Sequence, residues 1–395
     1  MPSPFTINLL YDLNSEEIRR KVQGLEAWLA SVRSAVSPFS KPQHVDLRQP
    51  LRHADLNVHV ELPVLAAIPW AHANVLLKNP DRWSEGWDSS LWSFNTVVPV
   101  GQLTAEGLEG LFQAAEGRRP TKGVFHCPPI LTVEDCPPIS IVTPTYNRAK
   151  LIEIAFHNIL STDYPKDRIE WILIEDSDPD TVVPAAKEAI LKFQVSNPTL
   201  AVKYIPIQGR MSIGQKRNIA IEHATHNIVL FMDDDDHYPP TSFRRRVAWL
   251  EKGFNGKDCD NDVSVCTTIA LYDLIRGVSA VNVPPWGLPF QKRISEATLT
   301  FRKSVWRERP FEDVSIAEGE AWLEGRTHRC IEIPPQQIIV AFSHRNNVSD
   351  RRIPPLEVKE IACFWNFPKE YLMFIHELAG MEVDDGEKKK KGVKA

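Results

Sequence analysis

The sequence predicts an α/β protein with two units, and the larger unit is expected to contain a mostly parallel central sheet. Three observations support this prediction. Strand-like apolar segments alternate with helix-like segments from residue 139 onward. Polar residues follow the end of each strand, as in parallel sheets that bind ligands along one edge. The last strand of the series runs directly into four consecutive aspartates, Asp233 to Asp236.

The composition is that of an ordinary soluble globular protein, and it argues against several classes of function. The net charge of −5 gives no sign of nucleic-acid binding. The six cysteines lack Cys-x-x-Cys spacing, so we expect reduced thiols in a cytoplasmic protein rather than a zinc site. The longest apolar region, residues 60–77, is interrupted by Pro63 and Pro69, and we therefore expect no transmembrane segment.

The first predicted unit is a smaller α/β domain that covers residues 1–135. Apolar residues recur at helical spacing from Ile18 to Val32, and Asn14 with Glu17 three residues later predicts the cap of that helix. A helical or loop segment is expected between the second and third strands. The strands themselves are expected at residues 5–11, 56–62 and 95–100.

Two Cys-Pro-Pro triplets, at residues 127–129 and 136–138, mark the expected boundary between the units. Paired prolines stiffen the backbone and exclude helix, which is typical of a linker. The second unit is expected to cover residues 136–355. A helical extension and a charged, disordered tail should follow over residues 356–395, where acidic residues precede four consecutive lysines.

The second unit begins with the alternating strands and helices. Its first four strands are expected at residues 139–142, 171–174, 202–206 and 228–232. The intervening helices are expected to end near Leu160 and to cover residues 183–193 and 214–224. The alternation weakens after residue 250, where the remaining expected elements are strands at 263–271, 297–301 and 338–341 and a helix that begins near Glu318.

The four aspartates predict a site for a divalent cation. Four carboxylates at a strand end repel one another unless a cation neutralises them, although a solvated acidic turn is the alternative. Hard oxygen ligands suit Mg²⁺ or Mn²⁺, and such ions usually also bind substrate phosphates. Lys216 and Arg217 begin the preceding helix, where two cations and the helix dipole favour a diphosphate. These groups together suit a nucleotide diphosphate held through a divalent ion.

Four segments of this unit resemble, in order, the motifs of family 2 glycosyltransferases with the GT-A fold. The segments are residues 141–148, 174–178, 214–218 and 231–236. The resemblance extends over about residues 139–345 and does not include the first unit. It implies a metal-dependent, inverting glycosyltransferase that moves a sugar from a nucleotide-diphosphate donor, a UDP-sugar by resemblance, to a hydroxyl group of a glycan or other acceptor.

The resemblance also implies roles for individual residues. Asp176, or its neighbour Glu175, matches the acidic residue that contacts the base or ribose. The register of the Asp-x-Asp metal motif is ambiguous because four aspartates are consecutive. The residues implied in nucleotide binding are Thr143, Pro144, Tyr146, Arg148, Glu175, Asp176, Lys216, Arg217, Asp233 and Asp234. The residues implied in metal binding are Asp233, Asp235, Asp236 and His344, of which the histidine could equally be structural.

An acidic pair late in the domain supplies the catalytic base of this family. The corresponding segment here contains Glu318 and Glu320 on either side of Gly319, so a glycine stands where the aspartate is often found. Either glutamate is a candidate to deprotonate the acceptor hydroxyl. A helix N-terminus would also favour glutamates at these positions.

Two other functions are compatible with these motifs. A sugar-1-phosphate nucleotidyltransferase would carry a glycine-rich phosphate loop near the start of its sheet, and residues 139–150 lack one. A non-catalytic sugar-nucleotide-binding or scaffold protein would be expected to have lost acidic residues that are intact here. The first unit is expected to contact the acceptor or a partner, or to form a second transferase module.

Overall fold

The molecule is described here by a computed structural model. It describes residues 4–46, 53–83, 87, 91, 94–117, 130–252, 261–285, 288–333, 335, 337–344, 347 and 367–380. The first Cys-Pro-Pro triplet and the charged tail beyond residue 380 lie outside these ranges. Within them, no helix combines the length and the apolar character needed to cross a membrane.

The N-terminal unit is built on a five-stranded sheet in which all neighbouring strands are parallel, in the order β2-β1-β3-β4-β5. Its strands are β1 (Ile7–Leu10), β2 (Gln43–His44), β3 (Ala54–Val60), β4 (Ala71–Lys78) and β5 (Thr96–Pro99). Two helices, α1 (Glu16–Val32) and α2 (Ala105–Glu116), share one hydrophobic cluster with the strands. The expected α/β class of this unit is confirmed.

Two local predictions in this unit are wrong, and one element was not predicted. Ser15, rather than Asn14, caps α1, because its side chain accepts a hydrogen bond from the Ile18 N–H at 3.4 Å. Strand β4 lies where a helical or loop segment was expected. Both faces of this strand are buried within a parallel sheet, so it lacks the apolar–polar alternation that identifies half-buried strands. Helix α2 has no counterpart among the predicted elements.

The second unit contains a seven-stranded, mostly parallel sheet in the order β14-β10-β13-β9-β6-β7-β8. Only β13 runs antiparallel to its neighbours. The strands are β6 (Ile139–Tyr146), β7 (Ile169–Ser177), β8 (Ala201–Gln208), β9 (Ile228–Phe231), β10 (Val263–Val265), β13 (Thr300–Arg302) and β14 (Cys330–Glu332). The helices are α3 (Ile152–Ser161), α4 (Lys187–Ser196), α5 (Ile213–Glu222), α6 (Ser242–Lys252), α7 (Lys303–Glu308) and α8 (Glu318–Leu323).

Strand β6 continues through Tyr146, four residues beyond its expected end. Pro144 is compatible with the strand because β9 pairs with β6 only as far as Val142. On that side β6 is an edge strand at Pro144, and proline is tolerated at sheet edges. The extension carries the first motif to the rim of the sheet, beside the aspartates that follow β9.

A smaller sheet completes the second unit. It contains β12 (Val278–Asn282), β11 (Ile269–Asp273) and β15 (Val340–Ser343), in that order. The single strand expected at residues 263–271 is therefore wrong, because β10 and β11 belong to different sheets. Helix α9 (Lys369–Leu378) packs Tyr371 and Ile375 against this smaller sheet. The two units bury separate hydrophobic clusters, and the boundary near residue 135 stays a prediction.

Candidate active site

A cavity of about 750 Å³ opens at the carboxyl ends of β6 and β9. Its walls come from the loop after β6, the start of α5, the aspartate loop, residues 291–297 and residues 315–318. The predicted site residues that line it are Pro144, Tyr146, Arg148, Lys216, Arg217, Asp233, Asp234, Asp235 and Glu318. The others, which are Thr143, Glu175, Asp176, Asp236, His344 and Glu320, are not among its described lining residues.

The four aspartates point in different directions. Asp235 lies 2.9 Å from His344 Nε2 and 3.1 Å from Arg148 Nη2. Asp236 is fully buried on the far side, where it accepts a hydrogen bond from the Phe342 N–H at 2.9 Å. Asp236 therefore ties the loop to β15, while Asp233, Asp234 and Asp235 line the cavity.

Asp234 has a carboxyl group with a raised pKa. Its Oδ2 is buried and makes no hydrogen bond within the described part of the chain. Burial raises the pKa of this carboxyl to about 7, the charge of Asp235 adds to the shift, and the Arg148 guanidinium, 3.7 Å away, opposes it. A buried carboxylate oxygen without a partner is a group that a cation would stabilise.

Among the described residues, no three His, Cys, Asp or Glu side chains form a group that could hold a metal ion by themselves. That finding is compatible with a magnesium or manganese site, since such ions are often held by one or two protein ligands together with substrate phosphates. Asp235 and His344 are the adjacent pair with suitable donor atoms. The donor set thus fits an ion that arrives with a phosphate-bearing ligand.

The end of β6 and the loop after it present Tyr146 and Arg148 to the cavity, and Arg210, from the segment before α5, adds a second guanidinium group. Asn147 turns the chain with a φ of 52°, in the left-handed region that asparagine tolerates better than most residues. The Tyr146 hydroxyl donates to Asp178 at 3.1 Å. The Arg210 guanidinium lies 3.2 Å from the centroid of the Tyr146 ring. Arg210 and Arg148 place two positive charges at the same wall.

The two acidic residues at the end of β7 face opposite sides of the sheet, as consecutive strand residues must. Asp176 accepts from Lys216 Nζ at 2.6 Å and pairs with Arg210 at 3.0 Å. Glu175 instead accepts from the Ala186 N–H and the Tyr204 hydroxyl, both at 2.8 Å. The structure therefore brings Asp176 against the basic cavity wall and places Glu175 in the opposite layer.

Two predicted nucleotide-contacting residues, Thr143 and Lys216, bond to other parts of the sheet, and only Lys216 also lines the cavity. Thr143 is fully buried, and its hydroxyl accepts a hydrogen bond from Trp171 Nε1 at 2.9 Å. Lys216 spans the gap between α5 and the sheet, because its ammonium also donates to the Thr145 carbonyl at 3.1 Å. Burial lowers the pKa of Lys216, and the adjacent Asp176 carboxylate counteracts that shift.

Arg217 joins the aspartate loop to the short helix α8. It is buried, forms an ion pair with Glu318 and lies 3.4 Å from Asp233. Its guanidinium also lies 4.2 Å from the centroid of the Phe231 ring. Ala317, with a φ of 57°, immediately precedes α8 and turns the chain so that Glu318 meets this cation. Glu318 therefore lines the cavity with its charge already paired.

Glu320 lies elsewhere. Its carboxylate pairs with Lys292 at 3.1 Å, and its side chain is 37% exposed. The helix geometry explains the difference, since residues two apart on a helix point to different faces. Of the two glutamates that flank Gly319, only Glu318 contributes to the described lining of the cavity.

Other cavity residues are not identified by the sequence motifs. Arg210, Arg293 and Glu296 all line the cavity. Arg210 stands six residues before Lys216, and its basic character next to a predicted helix start was a usable signal. Arg293 and Glu296 come from a stretch without a motif, so only the folded chain brings them to the site.

Residues 140–266 match the family model described as glycosyl transferase family 2. Two curated relatives are each 24% identical to the chain. The poly(ribitol-phosphate) beta-N-acetylglucosaminyltransferase TarS of Staphylococcus aureus aligns over 129 residues, 30% of this chain and 22% of TarS. The putative teichuronic acid biosynthesis glycosyltransferase TuaG of Bacillus subtilis aligns over 114 residues, 29% of this chain and 42% of TuaG. The matches thus span less than half the length of these relatives.

Two solved structures show partial similarity. The TarS fragment 1–349 in complex with UDP has a TM-score of 0.41 at 18% identity, covering 52% of this chain and 61% of that one. The mannosyltransferase PcManGT from Pyrobaculum calidifontis, in complex with GDP-Man and Mn²⁺, also has a TM-score of 0.41 at 19% identity, covering 58% and 62%. The mostly parallel sheet and the family match agree with the GT-A fold class expected from the sequence. The chain therefore contains a glycosyltransferase family 2 domain over residues 140–266.

Proposed function

We propose that this protein is a metal-dependent, inverting glycosyltransferase that transfers a sugar from a UDP-sugar to an acceptor hydroxyl. The observation that carries the proposal is the charge arrangement of one cavity. Three aspartates meet Arg148, Arg210, Lys216 and Arg217 at the carboxyl edge of the sheet. A surface with both signs at this edge suits a diphosphate on the basic side and a divalent ion on the acidic side. UDP is supported by the TarS structures with UDP and UDP-GlcNAc.

The metal ion in this proposal is Mn²⁺ or Mg²⁺, held by Asp235 and His344. Asp233, also predicted to bind the metal, instead lies 3.4 Å from Arg217. An imidazole ligand such as His344 favours Mn²⁺ over Mg²⁺. When bound, the ion would neutralise part of the charge that develops on the diphosphate leaving group. Asp236 is not assigned to the ion, because its carboxylate is committed to the Phe342 N–H.

The nucleotide is proposed to bind along the loop after β6. Tyr146 and Arg210 form a stacked pair at that wall, and Arg148 lies between the loop and the aspartates. Arg148 and Arg210 are placed to stabilise negative charge on the departing diphosphate. Lys216 has a supporting part in this proposal, since its ammonium already bonds to Asp176 and the Thr145 carbonyl.

An inverting transfer occurs by a single displacement at the anomeric carbon, and it requires a carboxylate that accepts the acceptor's proton. Glu318 lines the cavity, but its carboxylate already forms an ion pair with the buried Arg217. Glu320 is exposed and paired with Lys292. Of the two glutamates beside Gly319, Glu318 reaches the cavity with one carboxylate oxygen in an ion pair, and Glu320 lies outside the described cavity lining.

Calorimetry with UDP, with and without Mn²⁺, tests the proposal. We expect UDP to bind more tightly with Mn²⁺, and Asp235→Ala to weaken the Mn²⁺-dependent binding by at least about tenfold. Asp167→Ala is the matched control, because Asp167 is exposed at the opposite edge of the sheet. An affinity for UDP that changes neither with Mn²⁺ nor with Asp235→Ala would contradict metal dependence.

Turnover is measured separately by screening a panel of sugar nucleotides for hydrolysis in the presence of Mn²⁺. Hydrolysis of a UDP-sugar by the wild-type protein is expected, since water can replace the acceptor hydroxyl in the displacement. UDP binding without hydrolysis of any sugar nucleotide would instead favour a sugar-nucleotide-binding protein with a transferase fold. The cytoplasm remains the proposed compartment, in keeping with the free thiols of Cys136, Cys266 and Cys330.

A further inference from the structure

The glycine at position 319 leaves no side chain where the resemblance to family 2 enzymes leads one to expect an aspartate. A Cβ atom added at Gly319 would lie 3.0 Å from Glu296 Cγ and 3.2 Å from Glu296 Oε1. It would also lie 2.6 Å from Ile294 Cδ1. The space that a side chain at position 319 would enter is therefore filled by the carboxyl group of Glu296, which comes from a different segment of the chain.

Glu296 reaches this place from a short 3₁₀ turn, Glu296–Thr298, just before β13. Glu296 lines the cavity, as do Glu318 and Asp233. The charges of Arg217 and Asp233 and the backbone N–H groups of Glu296 and Gly319 act electrostatically on its carboxylate. The Glu296 carboxylate thus lies between the aspartate loop and α8.

We propose that Glu296 is the catalytic base of this transferase, and that its carboxylate substitutes for the missing aspartate at position 319. The inference rests on the proposed glycosyltransferase function. It accounts for the glycine at 319, because a Cβ there would meet the side chains of Glu296 and Ile294 in their present positions.

Glu296 is better suited to accept a proton than the two glutamates beside Gly319. Glu318 has its charge paired with the buried Arg217, and Glu320 pairs with Lys292 away from the described cavity lining. Burial raises the pKa of the Glu296 carboxyl, while Arg217 and the backbone N–H groups of Glu296 and Gly319 partly oppose that rise. A carboxylate of raised pKa is a stronger base, provided it stays ionised at the working pH.

In the proposed step, the acceptor oxygen forms a bond to the anomeric carbon of the donor sugar. The bond from that carbon to the diphosphate oxygen breaks, and its electron pair leaves with the nucleoside diphosphate. The acceptor's proton moves to the Glu296 carboxylate. In the hydrolysis reaction a water molecule takes the place of the acceptor, and the same carboxylate receives its proton.

The first test replaces the carboxylate by an amide of the same shape. Glu296→Gln is expected to lower the rate of sugar-nucleotide hydrolysis by about 10²–10⁴-fold. Its affinity for UDP with Mn²⁺ should stay within about twofold of the wild-type value, since the amide still fills the space beside Gly319. Glu188→Gln is the matched control, because Glu188 is exposed on α4. Hydrolysis by Glu296→Gln at the wild-type rate would overturn the assignment.

The second test moves the carboxylate back to position 319. The triple variant Glu296→Ala/Gly319→Asp/Ile294→Val removes both side-chain groups that a Cβ at 319 would meet, including Ile294 Cδ1. It should hydrolyse the donor at least about tenfold faster than Glu296→Ala/Ile294→Val, its matched reference without a carboxylate. A purely structural role for Glu296 predicts no such recovery. Failure to recover activity while UDP still binds would overturn the proposal.

The outcome for the wild-type protein separates the two levels of inference. If it hydrolyses no sugar nucleotide and transfers no sugar, the proposed function fails and the base assignment fails with it. If the wild-type protein hydrolyses a sugar nucleotide and Glu296→Gln does so at the same rate, the glycosyltransferase function stands and only the assignment of Glu296 is overturned.

Discussion

The buried ion pair between Asp176 and Lys216 should be the most sensitive electrostatic contact of the site. The two charges lie 2.6 Å apart, with side-chain exposures of 0% for Asp176 and 4% for Lys216. Removing one partner of such a pair usually costs about 3–5 kcal/mol, because the remaining charge stays buried without compensation. We expect Asp176→Asn to lower the free energy of unfolding by about 3 kcal/mol, at the lower end of this range, because the Lys216 ammonium keeps its hydrogen bond to the Thr145 carbonyl.

Differential scanning calorimetry at pH 7 measures this effect on the domain that contains the site. For a domain of this size, about 3 kcal/mol corresponds to a fall in Tm of about 6–12 °C. Asp167→Asn, on the exposed turn before β7, is the matched control and should leave Tm unchanged. The double variant Asp176→Asn/Lys216→Met should be more stable than Asp176→Asn alone, because it removes the uncompensated charge.

The pH dependence of the same variant gives a second measure. Burial already lowers the pKa of Lys216, and removal of the Asp176 charge should lower it further. The unfolded chain then binds more protons than the folded one, so the stability of Asp176→Asn should rise with pH toward the ordinary lysine pKa. The reasoning would be refuted if Asp176→Asn lowered the free energy of unfolding by less than about 1 kcal/mol at pH 7. It would also be refuted if the difference from the wild-type protein did not shrink between about pH 7 and 9.

Two further predictions concern the support of the site. Gly214→Ala should destabilise the domain by about 1–3 kcal/mol and slow turnover, because the added Cβ would collide with the Glu312 carbonyl. Gly24→Ala is the control, since no atom lies within 4 Å of the Cβ added there. Hydrogen bonds from Lys203, Ser140 and Thr225 outweigh burial and hold the pKa of Glu170 at about 2. Its stabilisation should be present above about pH 4.5 and lost as the pH falls toward about 2, so melting curves of wild type and Glu170→Gln should converge over that range. A difference between them that is independent of pH would contradict this assignment.

The motif residues show how far local patterns reach. The apolar run of β9 followed by four aspartates correctly predicted a strand end, and the alternation around it correctly predicted the mostly parallel sheet. Strand β4 escaped prediction because a strand buried on both faces has no apolar–polar period, and a continuous apolar run does not distinguish strand from other buried segments.

The motifs did not predict which way neighbouring side chains point. Consecutive aspartates share the same chemistry, yet Asp235 meets His344 while Asp236 bonds to the backbone of β15. Glu175 and Asp176 lie on opposite faces of β7 as strand alternation requires, but alternation does not determine which of the two faces the basic cavity wall. These outcomes depend on the twist of the loop and on which strand packs behind it, neither of which is encoded within a few residues.

By itself, the sequence determined the α/β class, the order of the four motifs and the presence of acidic and basic groups at one sheet edge, because apolar period and strand-end chemistry are local properties. It also showed that position 319 lacks a carboxylate. Only the tertiary structure decided that Glu296, more than twenty residues earlier in the chain, fills the space beside Gly319. The physical reason is that such a contact arises from the packing of the 3₁₀ turn that carries Glu296 against helix α8, and packing joins residues that no local pattern connects.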